Sequence, residues 1–189
     1  MVEIENEISK RISEKLKNGG RAVVAIDGCC AAGKTTLADA LSLKFCAPVV
    51  RMDDFFLRPI QRTAARYSEP GGNIDYERFC DEVLPKLKLG VPFCYRRFDC
   101  SEMALCGEAE ICASNVVIVD GTYSCHEKFV GAYDLTVFLD IDKDVQRRRI
   151  IERDKDKAAA FFEKWIPLER AYFSAQRVAE KCDFVFKIK

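Results

Sequence analysis

Two glycines, a lysine and a threonine stand in a spacing that can bind a phosphate chain. Gly28 and Gly33 enclose four residues and are followed by Lys34 and Thr35, which is the pattern G-x-x-x-x-G-K-[ST]. Backbone N–H groups converge on a polyphosphate only where the chain curls tightly, and glycine permits that curl. Lys34 then adds a positive charge at the β- and γ-phosphates, and the hydroxyl of Thr35 can bind Mg²⁺. We therefore predict an ATP-binding loop with these residues: Gly28, Cys29, Cys30, Ala31, Ala32, Gly33, Lys34, Thr35 and Thr36.

The residues around this loop have the strand-then-helix order that such a site needs. Residues 22–26 are a continuous apolar run, and residues 36–43 are rich in alanine and leucine. A helix that begins at Lys34 would direct the positive end of its dipole at the phosphates. Because both flanking patterns are present, we interpret the loop as a nucleotide site and not as an incidental glycine-rich turn.

Apolar runs that each end in aspartate predict the fold. They cover residues 22–27, 48–53, 116–120 and 135–140, and a fifth apolar run covers residues 184–188. Continuous apolar strands that alternate with helices indicate a parallel sheet buried on both faces. We predict an α/β chain of three layers around a five-stranded parallel sheet. Ligands of such sheets lie at the carboxyl ends of the strands, where these aspartates stand.

The aspartates at two of these strand ends are candidates for the chemistry of phosphoryl transfer. Asp120 ends the third run and fits a carboxylate that holds Mg²⁺, directly or through water. Asp53 ends the second run and is the preferred general base, since a hydroxyl that attacks a phosphoryl group must lose its proton. Asp54 remains an alternative base. Asp27 is expected to accept hydrogen bonds from N–H groups of the loop.

A cluster of arginines follows the fourth run. Arg147, Arg148, Arg149 and Arg153 fall on one predicted helix, with Arg149 and Arg153 four residues apart and so on the same face. Guanidinium groups neutralise the charge that spreads over the phosphoryl oxygens during transfer. We predict a lid around residues 147–160, with Arg149 and Arg153 in catalytic roles. The alternative is a solvated basic face that is paired with neighbouring acidic residues.

The composition of the chain excludes several classes of protein. Its 189 residues are enough for one α/β domain, and 30 Lys and Arg balance 30 Asp and Glu. We therefore expect a single domain over residues 1–189, with neither a nucleic-acid partner nor a membrane partner. A homo-oligomer is possible. The N-terminus lacks the basic and apolar regions of a signal peptide, so we predict a cytoplasmic protein.

The chain also holds ten cysteines, which is many for its length. Cys94, Cys100, Cys106 and Cys112 recur every six residues, but the close C-x₂₋₄-C pairs of a zinc site are absent from the sequence. We interpret most of the cysteines as reduced, small apolar residues. The two in the loop stand beside a helix N-terminus, which can lower a thiol pKa, so we hypothesise that their oxidation blocks nucleotide binding.

The stretch between the second and third runs departs from this strand-and-helix pattern. Residues 57–74 are rich in Arg, Pro and Gly and predict a loop, and residues 75–89 predict a helix. Residues 93–98 and 110–113 resemble short edge strands. We predict that residues 57–115 form a small insert that covers the substrate.

Together these motifs resemble the uridine kinase and phosphoribulokinase group of P-loop kinases, which includes nicotinamide riboside and pantothenate kinases. The resemblance covers roughly residues 22–186 and is strongest at residues 28–36 and 52–56. The second block, Met-Asp-Asp-Phe-Phe, is similar to the family's Asp-x-Phe-[Phe/Tyr] block. The first Asp of that block is the catalytic base near Mg²⁺, which implies both roles for Asp53. The resemblance also implies the sheet order 2-3-1-4-5 and the use of ATP with Mg²⁺.

Further site residues follow from the same resemblance. Asn73-Ile-Asp-Tyr76 is similar to a block whose Asp holds the ribose hydroxyls, which implies a substrate-binding role for Asp75. Asp120 stands where the family has Glu before glycine, so the implied Mg²⁺ ligands are Thr35, Asp53 and Asp120. The segment from Arg148 to Asp154 is similar to the lid block and implies that Arg148 binds substrate. Tyr95 occupies an aromatic position of the acceptor site, but the histidine that contacts uracil in uridine kinases has no counterpart near it.

The sequence therefore predicts a phosphotransferase that acts on an alcohol group with ATP and Mg²⁺. Its preferred acceptor is a nucleoside-like small molecule, the 5′-hydroxyl of a pyrimidine nucleoside such as uridine or cytidine. Nicotinamide riboside or pantothenate is the competing acceptor. A nucleotide-binding regulatory module without turnover is the alternative from another class of function.

Overall fold

The computed structural model joins the apolar runs in one parallel sheet. It describes residues 1–189, apart from the side chain of Asn18. The strands of the protein are β1 Ala22–Gly28, β2 Val49–Arg51, β3 Phe93–Asp99, β4 Ala104–Ile111, β5 Val116–Asp120, β6 Leu135–Ile141 and β7 Phe184–Ile188. Five of them form the sheet in the order β2-β5-β1-β6-β7, with every neighbouring pair parallel. Counted among the sheet strands alone, this is the expected order 2-3-1-4-5, so the predicted fold is confirmed.

Helices cover both faces of this sheet. They are α1 Val2–Leu16, α2 Lys34–Phe45, α3 Ala64–Ser68, α4 Tyr76–Glu82, α5 Lys143–Asp154, α6 Ala158–Ala160, α7 Ile166–Gln176 and α8 Val178–Lys181. A π-helix, Phe161–Trp165, connects α6 to α7. All seven residues of β1 are buried, because it lies in the middle of the sheet between two apolar layers.

Side chains that alternate along the strands divide the core in two. Val24 and Ile26 point to the layer where α1 and α2 pack, and they contact the buried Ile8, Ile12, Leu37 and Leu41. Val23 and Ala25 point to the other layer, which contains Phe55, Phe79, Phe129 and Tyr172. Alternation of side chains in a strand explains why one apolar run supplies both cores.

The insert contains more structure than its sequence suggested. The segment expected to be a loop holds the short helix α3, and the second edge strand is β4, which spans Ala104–Ile111 and not residues 110–113. Strands β3 and β4 pair in an antiparallel two-stranded sheet with an irregularity between Arg96 and Arg97. The expected helix over residues 75–89 ends early, at Glu82, because Pro85 lacks an N–H and disfavours helical backbone before it. The described residues contain no helix that is long and apolar enough to cross a membrane.

The only histidine of the chain lies in this second core. His126 is 1% exposed, and its ring stacks at 6.0 Å from that of Tyr172 and lies 5.3 Å from that of Phe129. Its Nδ1 accepts the backbone N–H of Lys128 at 3.2 Å, and its Nε2 lies 3.1 Å from the side-chain amide nitrogen of Gln176. Burial, together with the positive charges of Lys128 and Arg66, lowers the pKa of His126 to about 4. The imidazole is therefore neutral in the folded protein near pH 7.

This neutral histidine should make the protein less stable in mild acid. Unfolding restores the ordinary pKa of 6.5, so the unfolded chain binds a proton that the folded protein excludes as the pH falls from 6.5 towards 4. The shift corresponds to a loss of about 3 kcal/mol in unfolding free energy across that range. Urea unfolding at pH 7.5 and pH 5 should detect about 2 kcal/mol of this loss. In His126→Gln the carboxyls still titrate, so the difference between the two proteins isolates the histidine. An equal acid-induced loss in both proteins would contradict the assignment.

Candidate active site

The predicted phosphate-binding loop connects β1 to α2 at the carboxyl edge of the sheet. Gly28 ends β1 with φ 134°, and Gly33 precedes α2 with φ 96°, in backbone regions that side chains disfavour. A Cβ on Gly28 would lie 2.2 Å from the carbonyl oxygen of Leu139, so only glycine fits beside β6. Lys34 and Thr35 then begin α2, with Thr35 and Thr36 exposed on its first turn. The loop therefore has the shape that the motif predicts.

The side chain of Lys34 lies against the loop itself. Its ammonium donates to the carbonyl oxygens of Gly28 at 2.8 Å and Cys29 at 2.9 Å. These two carbonyls belong to the turn that surrounds the phosphate position of a P-loop. The lysine is thus held against the loop, and its charge is balanced there by backbone dipoles.

A buried carboxylate supports the loop from the opposite side. Glu169 on α7 is 4% exposed and accepts the backbone N–H of Cys30 at 3.0 Å. Its second oxygen accepts from the side-chain amide of Gln146 on α5, and that amide also donates to the carbonyl of Cys30. Burial raises the pKa of Glu169, with Lys34 acting in the opposite direction. Neither Glu169 nor Gln146 belongs to a recognisable motif, so the sequence did not identify this clamp.

Asp120 ends β5 beside the loop and is 3% exposed. Its Oδ2 accepts from the hydroxyl of Thr35 at 3.0 Å and from the guanidinium of Arg51 at 2.5 Å. Its Oδ1 is buried without a hydrogen-bond partner among the described residues. Arg51, which also pairs with Asp39 at 2.5 Å, was missed by the sequence reasoning although it stands directly opposite Asp120 in the sheet.

This donor set fits Mg²⁺. The unpaired, buried Oδ1 of Asp120 is energetically costly unless a cation or a hydrogen-bond donor binds it. The hydroxyl of Thr35 already binds the other oxygen of the same carboxylate. Mg²⁺ takes one or two protein oxygens and completes its shell with water and phosphate oxygens. Within the described residues there is no cluster of three or more His, Cys, Asp or Glu that could hold a metal. That observation is compatible with a nucleotide-bound Mg²⁺, which needs no such cluster.

The two candidate bases have different surroundings. Asp54 is 8% exposed, and its carboxylate accepts from the hydroxyl of Tyr95 at 2.8 Å and from Arg97 at 3.1 Å. Asp53 is exposed and has no hydrogen-bond partner among the described residues. Desolvation by the surrounding protein raises the pKa of Asp53, Lys34 acts in the opposite direction, and the negative charge of Asp120 raises it further. Asp53 is therefore the carboxylate that is free to meet a substrate.

Two residues that the resemblance assigned to the substrate lie inside the protein. Asp75 is 0% exposed and is held by Arg58 at 3.2 Å and Arg78 at 3.4 Å. It also caps α4 by accepting the N–H of Arg78. Tyr95 is 2% exposed, and its ring packs 5.1 Å from that of Phe55. Both polar groups already have protein partners, so the expected contacts of Asp75 and Tyr95 with a substrate have no geometric support and stay predictions.

The arginines of α5 lie on two different faces. Arg149 donates to the carbonyl of Ala31 at 3.0 Å, and Arg153 lies 3.6 Å from the sulfur of Cys30, so both reach the loop. Arg148 does not: it is exposed on the other side of α5 and lines a surface depression with Asp144, Arg147, Ile151 and Glu152. The structure therefore brings Arg149 and Arg153 to the phosphate site, and the substrate role expected for Arg148 has no geometric support.

The segment after these arginines lies over the loop. Ala158 and Ile166 pack with Ile150 of α5, and this small cluster contacts Cys30 and Ala31. Part of the segment 147–160 thus packs against the loop, and its role as a lid stays a prediction.

The loop cysteines have thiol pKa values opposite to the expected direction. Burial and the negative charges of Glu169 and Asp140 raise the pKa of Cys29 to about 12. Burial and Glu169 also raise the pKa of Cys30. The expectation that the helix dipole would activate these thiols is wrong, because the nearby carboxylates and desolvation dominate.

Comparison with known proteins shows the fold. No family model matches the chain, and no curated protein matches it. Among solved structures, a possible uridine kinase from Bacillus stearothermophilus shares 20% identity at a TM-score of 0.71, with 98% of each chain covered. A candidate fructose transport system kinase from Silicibacter sp. TM1040 shares 22% identity at a TM-score of 0.73, covering 96% of this chain and 98% of that chain. The chain therefore has the α/β fold of these P-loop kinase structures over nearly its whole length.

The Glu169 clamp should matter for nucleotide affinity. Glu169→Ala removes the acceptors that bind the N–H of Cys30 and the amide of Gln146. Leaving buried donors unsatisfied costs about 1–3 kcal/mol, and we expect binding of a fluorescent ATP analogue to weaken by at least about fivefold. Glu169→Gln keeps one carbonyl acceptor and should give an intermediate affinity. Fluorescence titration measures both. Equal affinity in the alanine variant and the unchanged protein would mean that the clamp does not shape the loop.

Proposed function

We propose that this protein is a kinase that uses ATP and Mg²⁺ to phosphorylate a hydroxyl group of a small metabolite. The observation that carries this proposal is Asp53, an exposed carboxylate with no hydrogen-bond partner among the described residues, whose charge interacts with those of Lys34 and Asp120. A nucleotide-binding module without turnover does not require an unpaired carboxylate next to the phosphate-binding loop. The shared fold with kinase structures supports the same interpretation.

The donor side of the proposed reaction is assembled from the loop and two helices. Loop N–H groups and Lys34 bind the phosphates, while Arg149 and Arg153 approach from α5 and neutralise charge on the phosphoryl oxygens. Lys34 would exchange its two carbonyl partners for phosphate oxygens. When bound, Mg²⁺ would be held by Thr35 and Asp120, with Asp53 nearby, and would neutralise charge that develops on the phosphates.

Asp53 is proposed to act on the acceptor side. Its carboxylate orients the attacking hydroxyl and takes its proton as the new P–O bond forms. A raised pKa suits this task, because a more basic carboxylate accepts a proton more readily. Asp54 is not the base in this proposal, since Tyr95 and Arg97 already occupy its oxygens.

The acceptor itself is proposed only as a class. A pyrimidine nucleoside remains the first prediction, and nicotinamide riboside or pantothenate is the alternative. The residues that would favour a nucleoside, Asp75 and Tyr95, are buried and paired, which weakens that preference. The cytoplasmic location stays a prediction.

Replacing Asp53 tests the proposed base. Asp53→Asn should lower the rate of phosphoryl transfer by about 10²–10⁴-fold, the usual contribution of general base catalysis, while nucleotide affinity changes little. Coupled ADP release measures transfer, and fluorescence titration measures affinity. Asp81→Asn, an exposed change on α4 away from the loop, is the matched control. Unchanged turnover in Asp53→Asn would overturn the assignment.

A panel of acceptors separates a kinase from a regulatory module. ADP release should increase when the right hydroxyl compound is added to the protein with Mg·ATP. The panel contains nucleosides, ribosylated vitamins and pantothenate. ADP release that responds to none of them, with ATP still bound, would favour the regulatory module.

A further inference from the structure

The carboxylate of Asp120 is hydrogen-bonded at one of its two oxygens. Its Oδ2 accepts from the hydroxyl of Thr35 at 3.0 Å and from a terminal nitrogen of Arg51 at 2.5 Å. Its Oδ1 is buried and has no hydrogen-bond partner among the described residues. Because both donors bind the same oxygen, they fix the orientation of the carboxylate and leave the other oxygen available to a cation.

Arg51 reaches this oxygen from the neighbouring strand. It is the last residue of β2 and stands directly opposite Asp120 in the parallel pair of β2 and β5. Its Nη1 donates to Asp120, and its Nη2 donates to the carboxylate of Asp39 on α2, also at 2.5 Å. A guanidinium is planar and rigid, so bonds at two different nitrogens fix its direction. Arg51 is therefore held between two carboxylates.

The spacing along α2 explains how Asp39 comes to Arg51. Thr35 and Asp39 are four residues apart on this helix and therefore lie on the same face. The side chain of Asp39 is 55% exposed, whereas that of Asp120 is 3% exposed. Two carboxylates and one guanidinium together leave one negative charge. Asp39 thus offsets, from the surface, the positive charge that Arg51 brings to the buried carboxylate.

We propose that Arg51 and Asp39 are positioning residues for the divalent cation of the kinase. Arg51 fixes the carboxylate of Asp120 so that Oδ1 stays available to the cation, and Asp39 anchors Arg51 and cancels its charge. Both residues act through Asp120 and need no contact with the nucleotide. The proposal rests on the proposed function, the use of Mg²⁺ with ATP. Hydrogen-bond partners that orient a metal ligand commonly change metal affinity by about 10–100-fold.

The increase in nucleotide affinity that Mg²⁺ produces tests this proposal. A fluorescent, non-hydrolysable ATP analogue is titrated into the protein in EDTA and again in excess Mg²⁺, and the ratio of the two affinities is the magnesium gain. Arg51→Met removes both bonds of the guanidinium and should reduce the magnesium gain by about tenfold. The affinity in EDTA should change little, because the loop N–H groups and Lys34 are proposed to bind the phosphates without Arg51.

Two milder variants separate the orientation of Asp120 from the charge of Asp39. Arg51→Lys keeps the positive charge but lacks the planar fork that spans both carboxylates, so its magnesium gain should be intermediate. Asp39→Asn keeps an oxygen acceptor for Arg51 and removes one negative charge. Its magnesium gain should fall by about two- to fivefold, as for an exposed ion pair, and added salt should diminish this loss by screening.

A matched ion pair on α1 supplies the controls. Arg11 donates to Glu14 at 2.7 Å on the surface of this helix, so Arg11→Met and Glu14→Gln repeat the changes there and should keep the full magnesium gain. Thermal unfolding shows whether each variant folds, and Arg51→Lys and Asp39→Asn decide the question if Arg51→Met does not. A magnesium gain that is unchanged or larger in the variants of Arg51 and Asp39 overturns the proposal. The absence of any magnesium gain in the unchanged protein also overturns it.

The same variants separate this proposal from the proposed function. ADP release that responds to an acceptor, with a magnesium gain independent of Arg51, would leave the kinase intact and overturn the positioning roles. A magnesium gain that depends on Arg51 and Asp39, without ADP release for any acceptor, would support the positioning roles and overturn the kinase.

Discussion

The buried carboxylate of Asp27 connects the parts of the site. It ends the apolar portion of β1 at 0% exposure and accepts hydrogen bonds from Gly28 N at 2.6 Å, Cys125 N at 2.8 Å and the hydroxyl of Tyr172 at 2.8 Å. It also accepts from Tyr123 N at 3.1 Å. Without these donors a carboxylate at this depth would be strongly destabilising, and burial still raises its pKa. The carboxylate of Asp27 therefore orients three elements, which are the loop, the segment after β5 and helix α7.

The loop that is proposed to bind the phosphates could be predicted because its residues are close in sequence. Gly28 to Thr35 specify the loop by type and spacing, and the strand and helix patterns around them place it at the sheet edge. Asp120 was found by a similar local signal, a charged residue at the end of a buried strand. The order of the sheet came from the resemblance, and the structure confirms it.

Long-range pairing explains most of what the sequence did not reveal. Glu169 lies 139 residues from Cys30, whose N–H it binds, and nothing in the local pattern of α7 indicates that partner. Asp75 and Tyr95 were assigned to the substrate because their positions match a block of residues. Whether a side chain faces a ligand or a neighbouring arginine depends on packing within the insert, which local spacing does not encode. The predicted direction of the thiol pKa shift was wrong for the same reason. Glu169 and Asp140, which raise the pKa of Cys29, come from elements distant in sequence.

The position of Lys34 has a consequence for how the loop responds to nucleotide. Its ammonium already donates to two loop carbonyls. In the proposed kinase, binding of a triphosphate would therefore replace these carbonyl acceptors by phosphate oxygens and would not have to order a free side chain. Those two hydrogen bonds restrict the side chain of Lys34 in the folded protein. Selectivity of the loop for a phosphate chain then depends on how much better phosphate oxygens satisfy the ammonium than its own backbone does. In the proposed kinase, a weakly charged ligand would gain little from that exchange, and the lysine would therefore disfavour such ligands as well as bind phosphates.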